Sequence, residues 1–157
     1  MQLTSAAFQQ GAEIPSYYTS DGEDVSPELS WKDAPAKTKS FVLVVHDPDA
    51  LRPGGFTHWV LYNIPAEAGH VKENIPEEEQ IRGLGMQGQN DAGKIGYVGP
   101  APPSGMHRYF FRLFAIDQML GLSPGATHKQ VSAAVKGHIL AQAELMGTYE
   151  KKSERAA

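Results

Sequence analysis

Cysteine is absent from the 157 residues. That excludes disulfides, thiolate catalysis and zinc sites built on sulfur. Long apolar runs are missing as well: the longest, Phe41 to Val45, is far short of the roughly twenty residues that span a bilayer. Positive charge is not in excess, since 14 Lys plus Arg stand against 18 Asp plus Glu for a net charge of −4. This balance argues against a chain whose main task is neutralising nucleic-acid phosphates. The amino terminus MQLTSAAFQQGAEIP has neither a basic segment nor an apolar stretch of signal-peptide type, so the expectation is a cytoplasmic protein. Without a basic amphipathic helix, weak or no membrane binding is expected. There is no internal repeat and no low-complexity tract.

What is present suits one domain spanning residues 1–157, with 41% hydrophobic and 20% charged residues, an ordinary mixture for a folded chain. Eleven prolines and sixteen glycines divide it into short segments, which favours an all-β architecture over a helical bundle. Ser40 to Val45 (SFVLVV) is apolar on both faces, as a central strand covered on both sides should be. Phe56 to Ile64 reads as the next strand, with Thr57, Trp59, Leu61 and Asn63 expected on one face and His58, Val60 and Tyr62 on the other. His107 to Ile116 alternates so that His107 and Tyr109 share a face. Thr127 to Gln130 has the form of a capping box and predicts a helix over 128–136, ended by Gly137. Alternation then predicts a strand over 138–149, and the tail KKSERAA is expected to fray. Between Lys72 and Gly105 lies a glycine- and proline-rich stretch with a helical turn expected at Pro76 to Ile81. A loop of that length is usually functional.

Several chemistries compete for the polar residues. Gly83-Leu-Gly85-Met-Gln-Gly88 matches G-x-G-x-x-G, and Gly88 to Lys94 matches G-x-x-x-x-G-K. Neither follows a strand and opens a helix, and Ile95 stands where a magnesium-holding hydroxyl belongs, so a glycine-rich loop is the simpler reading. Ser104 has His107 and Asp47 in reach along the chain but no G-x-S-x-G elbow. His46, Asp47, Asp49, His58 and His107 offer nitrogen and oxygen ligands of the kind zinc or iron uses, without a diagnostic spacing. Asp47-Pro-Asp49 serves equally well as an Asx-turn after a strand.

Three segments in combination are more specific. DPDA at 47–50, FTHWVLYNIP at 56–65 and GYVGPAPPSGMHRYFFRLFAID at 96–117 resemble the phosphatidylethanolamine-binding protein family, which includes Raf kinase inhibitor protein. The similarity continues through YYTSDGEDVSPELSW at 17–31 and GHILAQAELMGTY at 137–149, and is greatest to the short bacterial branch. The resemblance implies an antiparallel β fold of Greek-key type, a sandwich or partly open barrel with short peripheral helices. It also implies one anion-binding pocket lined by Asp47, His58, Pro103, His107 and Tyr109, with Asp49 and Gly99 in support and neither metal nor cofactor. Two imidazoles and a phenol supply donors for a phosphate or carboxylate, and the glycine–proline loop lets backbone come close. A carboxylate beside an anion repels it. Asp47 is therefore expected to orient and charge a histidine, to bind protonated, or to receive the cationic part of a zwitterionic head group.

The implied function is a non-enzymatic binding protein for a phosphate-like anion on a small molecule, a phosphorylated residue or a phospholipid head group. By the family's example it could regulate a kinase or protease, and bacterial members suggest a homodimer. The alternative is a hydrolase using Asp47 and the histidines on a phosphoester, with or without a metal. Two positions depart from the family pattern: Leu51 stands where proline commonly follows DPDA, and Ala101 where bacterial members often carry cysteine. With few residues after the predicted last strand, the carboxy-terminal helix of eukaryotic relatives is not expected.

Overall fold

The run Ser40–Asp47 is buried along almost its whole length, and the rest of the chain is arranged around it. The computed structural model describes residues 1–152; most of the tail expected to fray lies outside them. In chain order the elements are β1 (Gln2–Thr4), a 3-10 turn at Ser16–Tyr18, β2 (Leu29–Lys32), β3 (Ser40–Asp47), β4 (Phe56–Pro65), β5 (His70–Val71), β6 (Gln80–Ile81), β7 (Gly85–Gln87), β8 (Met106–Ile116), α1 (His128–Val135) and β9 (Ile139–Glu150). The strands form two antiparallel sheets, one ordered β1-β2-β5 and the other β6-β7-β4-β3-β8-β9. They do not close into a barrel. Among the described residues α1 is the single α-helix, and none is long and apolar enough to cross a membrane.

The two faces of β3 enter two separate cores, as its doubly apolar sequence requires. Phe41, Leu43 and Val45 pack with Leu3, Leu29 and Trp31 of the small sheet, together with Trp59, Phe111 and Leu113. Val42 and Val44 pack with Val60, Tyr62, Val131 and Val135, so α1 covers the opposite face. Each such side chain, fully buried, stabilises by about 1.5–3 kcal/mol. Helix α1 is held at its start by the expected capping box, in which Thr127 Oγ1 accepts from Gln130 N–H and the Gln130 side chain accepts from Thr127 N–H.

Strand β4 departs from the alternation read from its sequence. Val45 pairs with Trp59, but the next residue, His46, pairs with Thr57, so one extra residue of β4 is bulged out at His58. A bulge resets which side each residue faces. Thr57 consequently reaches His46 and His128 on the α1 side. The His58 ring packs instead against Tyr109, 5.2 Å between centroids, on the side that holds Trp59. His58 and Trp59 thus serve the same side of the sheet, contrary to strict alternation. A second irregularity falls where Phe41 pairs with Ile64 and Leu43 with Leu61. There Asn63, at φ 55°, turns its amide to both backbone groups of Leu120 at 2.9 and 2.7 Å.

The segment Pro76 to Ile81 is not helical. Gln80–Ile81 pairs with β7, and Gln87 Nε2 draws the carbonyls of Pro76 and Glu78 inward at 2.7 and 2.8 Å. Gly83 and Gly85 of the G-x-G-x-x-G match close the β6–β7 hairpin at φ 78° and 126°, and no helix follows them.

Candidate functional site

Three elements and one loop meet at the end of the large sheet. Asp47 is the last residue of β3, His58 sits at the β4 bulge, and His107 and Tyr109 lie at the start of β8. Together with Gly99, Pro102 and Pro103 of the preceding loop they line a cavity of about 200 Å³. The strand register explains the meeting. Antiparallel pairing of β3 with both β4 and β8 brings the end of β3 beside the beginnings of its two neighbours.

Asp47 is 2% exposed and His107 7%. Asp47 Oδ2 lies 2.6 Å from His107 Nδ1, and its Oδ1 accepts the Asp49 N–H at 2.7 Å. Both carboxylate oxygens are therefore engaged, and Asp47 orients His107 with Nε2 as its remaining nitrogen. His58 Nδ1 is 2.6 Å from the Val98 carbonyl, which can only accept, so Nδ1 carries a proton and donates. The Val98 N–H donates back to the His58 carbonyl at 3.0 Å, a reciprocal clamp between strand and loop. Burial pushes the His58 imidazole below its ordinary range, against the Val98 carbonyl and Asp47, which raise it. At neutral pH His58 is accordingly an uncharged ring whose Nε2 accepts. The Tyr109 phenol is raised by burial, then by Asp47 and Asp49, and stays protonated.

The loop is braced from behind. Asp24 Oδ1 accepts the Gly99 N–H at 2.8 Å, and a Cβ at Gly99 would sit 2.3 Å from that oxygen and 2.5 Å from the Tyr18 carbonyl. No larger residue fits without moving backbone. The Tyr97 hydroxyl donates to the same carbonyl at 2.6 Å.

The structure thus brings Asp47, His58, Gly99, Pro103, His107 and Tyr109 around one cavity. Asp49 does not line it. Its carboxylate takes the Arg108 N–H, Nε and Nη2 at 2.9, 3.0 and 2.9 Å, which fixes the DPDA turn against β8. The hydrogen bond from the Arg108 guanidinium is the main cause that holds the Asp49 carboxyl down at about 2. His46, weighed above as a ligand beside Asp47, belongs to the opposite side of the sheet. Among the described residues no group of three metal-type side chains gathers. Ser104 is not part of the lining. Leu51 and Ala101, the two departures from the family pattern, both line the cavity, so they alter its wall directly. Sequence reasoning did not find Val98, Arg108 or Asp24. Arg108 was open to inference as the residue after His107 and facing away from it; the other two act through backbone contacts that no local pattern announces.

The sequence pattern of the phosphatidylethanolamine-binding protein family matches residues 4–150. The chain belongs to this family. It is 47% identical over 151 residues to a UPF0098 protein of Methanothermobacter thermautotrophicus, covering 96% of this chain and 99% of that one. A UPF0098 protein of Aquifex aeolicus is 48% identical over 154 residues, covering 96% and 89% respectively. Among solved structures, the phosphatidylethanolamine-binding protein homolog CT736 of Chlamydia trachomatis superposes with a TM-score of 0.85 at 43% identity, over 96% of this chain and 97% of that one. Escherichia coli YbcL, described as a member of the mammalian family, gives 0.87 at 28% identity, over 96% and 98%. The two-sheet arrangement is therefore the family fold.

Proposed function

We propose that the cavity between Asp47, His58, His107 and Tyr109 binds the phosphate group of a small molecule or phosphorylated side chain as its singly protonated ester, and holds it without turnover. The observation that carries this reading is the asymmetry of the two imidazoles. His107, with Nδ1 on buried Asp47 at 2.6 Å, offers an Nε2–H when the ring carries a second proton, and the Asp47 carboxylate then lies beside that charge. His58, with Nδ1 engaged by Val98, offers a bare Nε2. A phosphate monoester with one acidic proton complements both: an oxygen accepts from His107 and the P–OH donates to His58. Asp47 then repels the anion little, because its charge is compensated within the pair.

Binding is favoured over turnover by the lining itself. It contains no serine, threonine, cysteine or lysine to attack phosphorus, and both oxygens of Asp47 are already engaged in hydrogen bonds. Leu51, Phe56, Ala101 and Pro102 make an apolar wall suited to the organic part of an ester. The test is histidine side-chain NMR during titration with phosphoethanolamine, with and without a chelator. Shifts at His58 and His107 that survive chelation, and that are lost in His107→Gln, support the reading. Metal-dependent hydrolysis of a phosphoester, or no shift at either ring, overturns it.

A further inference from the structure

The β4 bulge that delivers His58 to one side of the sheet delivers Thr57 to the other, where a second polar cluster stands apart from the cavity described above. Thr57 is 1% exposed. Its Oγ1 lies 3.0 Å from His46 Nδ1 and 2.9 Å from His128 Nδ1, and its N–H donates to Asp91 Oδ2 at 2.7 Å. A hydroxyl has a single proton. When both rings are neutral, Thr57 donates to one Nδ1 and accepts from the other, so the imidazoles are fixed in opposite tautomers. One presents a bare Nε2 and the other an Nε2–H, and neither Nε2 has a hydrogen-bond partner among the described residues.

Both rings line a cavity of about 320 Å³ beneath α1, at the small end of the range for ligand pockets. Its apolar walls are Val42, Val44, Phe114, Val131 and Val135. Gly55 packs closely beside His46, where a Cβ would lie 2.8 Å from His46 Nε2 and 2.4 Å from the Asp47 carbonyl oxygen. The cavity thus joins an apolar wall to two imidazoles whose Nε2 atoms have no hydrogen-bond partner among the described residues.

We propose that this cavity is a second ligand site, taking a small carboxylic acid with a compact apolar body whose carboxyl group is recognised by the free Nε2 atoms of His46 and His128. A carboxylic acid carries one donor and one acceptor side by side, matching the bare Nε2 and the Nε2–H. If its proton passes to the bare ring, the carboxylate accepts from two N–H groups instead. Either way the complex contains one proton that a carboxylate in neutral solution lacks, and the buffer supplies it.

The surrounding charges agree with a monoanion. Arg52, from the turn after β3, and Arg112, from β8, line the cavity, as does Asp91 from the loop after β7. Arg112 is partly engaged, with its Nε on Glu144 Oε1 at 2.9 Å and its guanidinium over Phe110. Asp91 weighs against a doubly charged phosphate. Burial, then the neighbouring charges of His46 and Arg112, holds His128 below the ordinary imidazole range, with Asp91 opposing, which favours the neutral hydrogen-bonded chain in the empty site.

The inference stands independently of the phosphate reading, and one experiment separates them. Benzoate titrated into the protein at pH 8 is expected to move the ring resonances of His46 and His128 while leaving His58 and His107 in place. Calorimetry in buffers of different ionisation enthalpy is expected to show proton uptake. Ser132→Phe, which fills the cavity from α1 and leaves the Thr57 hydrogen bonds intact, abolishes the binding. His128→Gln lowers the affinity about 10-fold, the loss of one to two hydrogen bonds. Far-UV circular dichroism checks that both variants fold. The proposal is overturned if benzoate leaves His46 and His128 unmoved, if benzyl alcohol binds equally well, if inorganic phosphate moves these rings in place of benzoate, or if binding takes up no proton.

Discussion

Replacing Asp47 by asparagine changes one acceptor into a donor without changing shape, and the structure sets the size of the effect. Asp47 faces two donors, His107 Nδ1 and the Asp49 N–H. The backbone N–H cannot change character, so in Asp47→Asn the amide oxygen stays on Asp49 and the NH₂ faces His107. At pH 8 the imidazole answers by moving its proton to Nε2 and accepting at Nδ1. The number of hydrogen bonds is kept, and only charge assistance is lost, a difference of about 1 kcal/mol. An imidazole is ordinarily protonated at pH 5, and in the wild type the Asp47 carboxylate lies 2.6 Å from the ring. In the variant the ring has two routes. Carrying the charge without a partner costs about 3–5 kcal/mol; staying neutral some 1.5 pH units below the ordinary imidazole pKa costs about 2 kcal/mol. The second route is cheaper, so the total deficit at pH 5 is about 3 kcal/mol. Urea unfolding followed by the fluorescence of Trp31 and Trp59, which are 7% and 0% exposed, measures it. For a chain of this length the melting temperature should fall by about 2–4 °C at pH 8 and about 6–12 °C at pH 5. A deficit that is the same at both pH values, or below about 0.5 kcal/mol at pH 5, would refute an ionic Asp47–His107 pair and with it the charge balance in the proposed phosphate site.

Arg108→Ala should destabilise only slightly near neutral pH, because the Asp49 pair lies at the surface and is screened. The Asp49 carboxyl is lowered to about 2 from 3.8, so its contribution is present above about 3.8 and lost as pH falls toward 2; acid-unfolding curves of the variant should therefore fall less steeply than wild type in that window. The His58 imidazole is lowered by burial, so the unfolded chain binds the proton more readily and stability should be full above about pH 6.5 and decline below it. His58→Asn, which keeps an N–H for Val98, should flatten that decline, and an unchanged slope in urea titrations across pH 5–8 would place the titrating group elsewhere. Gly99→Ala forces a Cβ to within 2.3 Å of Asp24 Oδ1, so the loop must shift; a loss of about 1–3 kcal/mol, with weakened phosphoethanolamine binding by NMR, is the expected result.

The long strands and the helix were legible because burial writes a period into each. Phe41 to Val45 is apolar on both faces because both cores need it, and Thr127 to Gln130 announces α1 through two hydrogen bonds made within four residues. The short strands β1, β2 and β5 to β7 span two to four residues, too few for a period to register, and exist through partners distant in sequence. Gln80 shows the mechanism: an acidic stretch with helix-forming residues becomes a strand edge because Met86 pairs with Gln80 and the Gln87 side chain holds the carbonyls before it. At the cavity, the motif residues Asp47, His58, His107 and Tyr109 were legible through family resemblance. Their protonation roles were not, because these depend on the Val98 carbonyl and the Asp49 N–H, backbone groups common to every residue.

The bulge in β4 is the step that neither composition nor period could supply, and it decides the chemistry of both faces. With regular pairing from Trp59 onward, Thr57 would point to the side of Trp59 and His58 to that of Val60. His58 would then face α1 among Val44, His46 and His128, with no carboxylate-bound partner ring. Thr57 would stand against Tyr109 without the imidazoles it now joins. One residue of offset, between the Val45–Trp59 and His46–Thr57 pairs, exchanges them. The cost is a locally interrupted ladder, and the Asp91 carboxylate compensates by taking the Thr57 N–H at 2.7 Å. An irregularity whose freed donor is satisfied, and whose two residues arrive at separate cavities lined by histidine, sets which side chain each cavity receives.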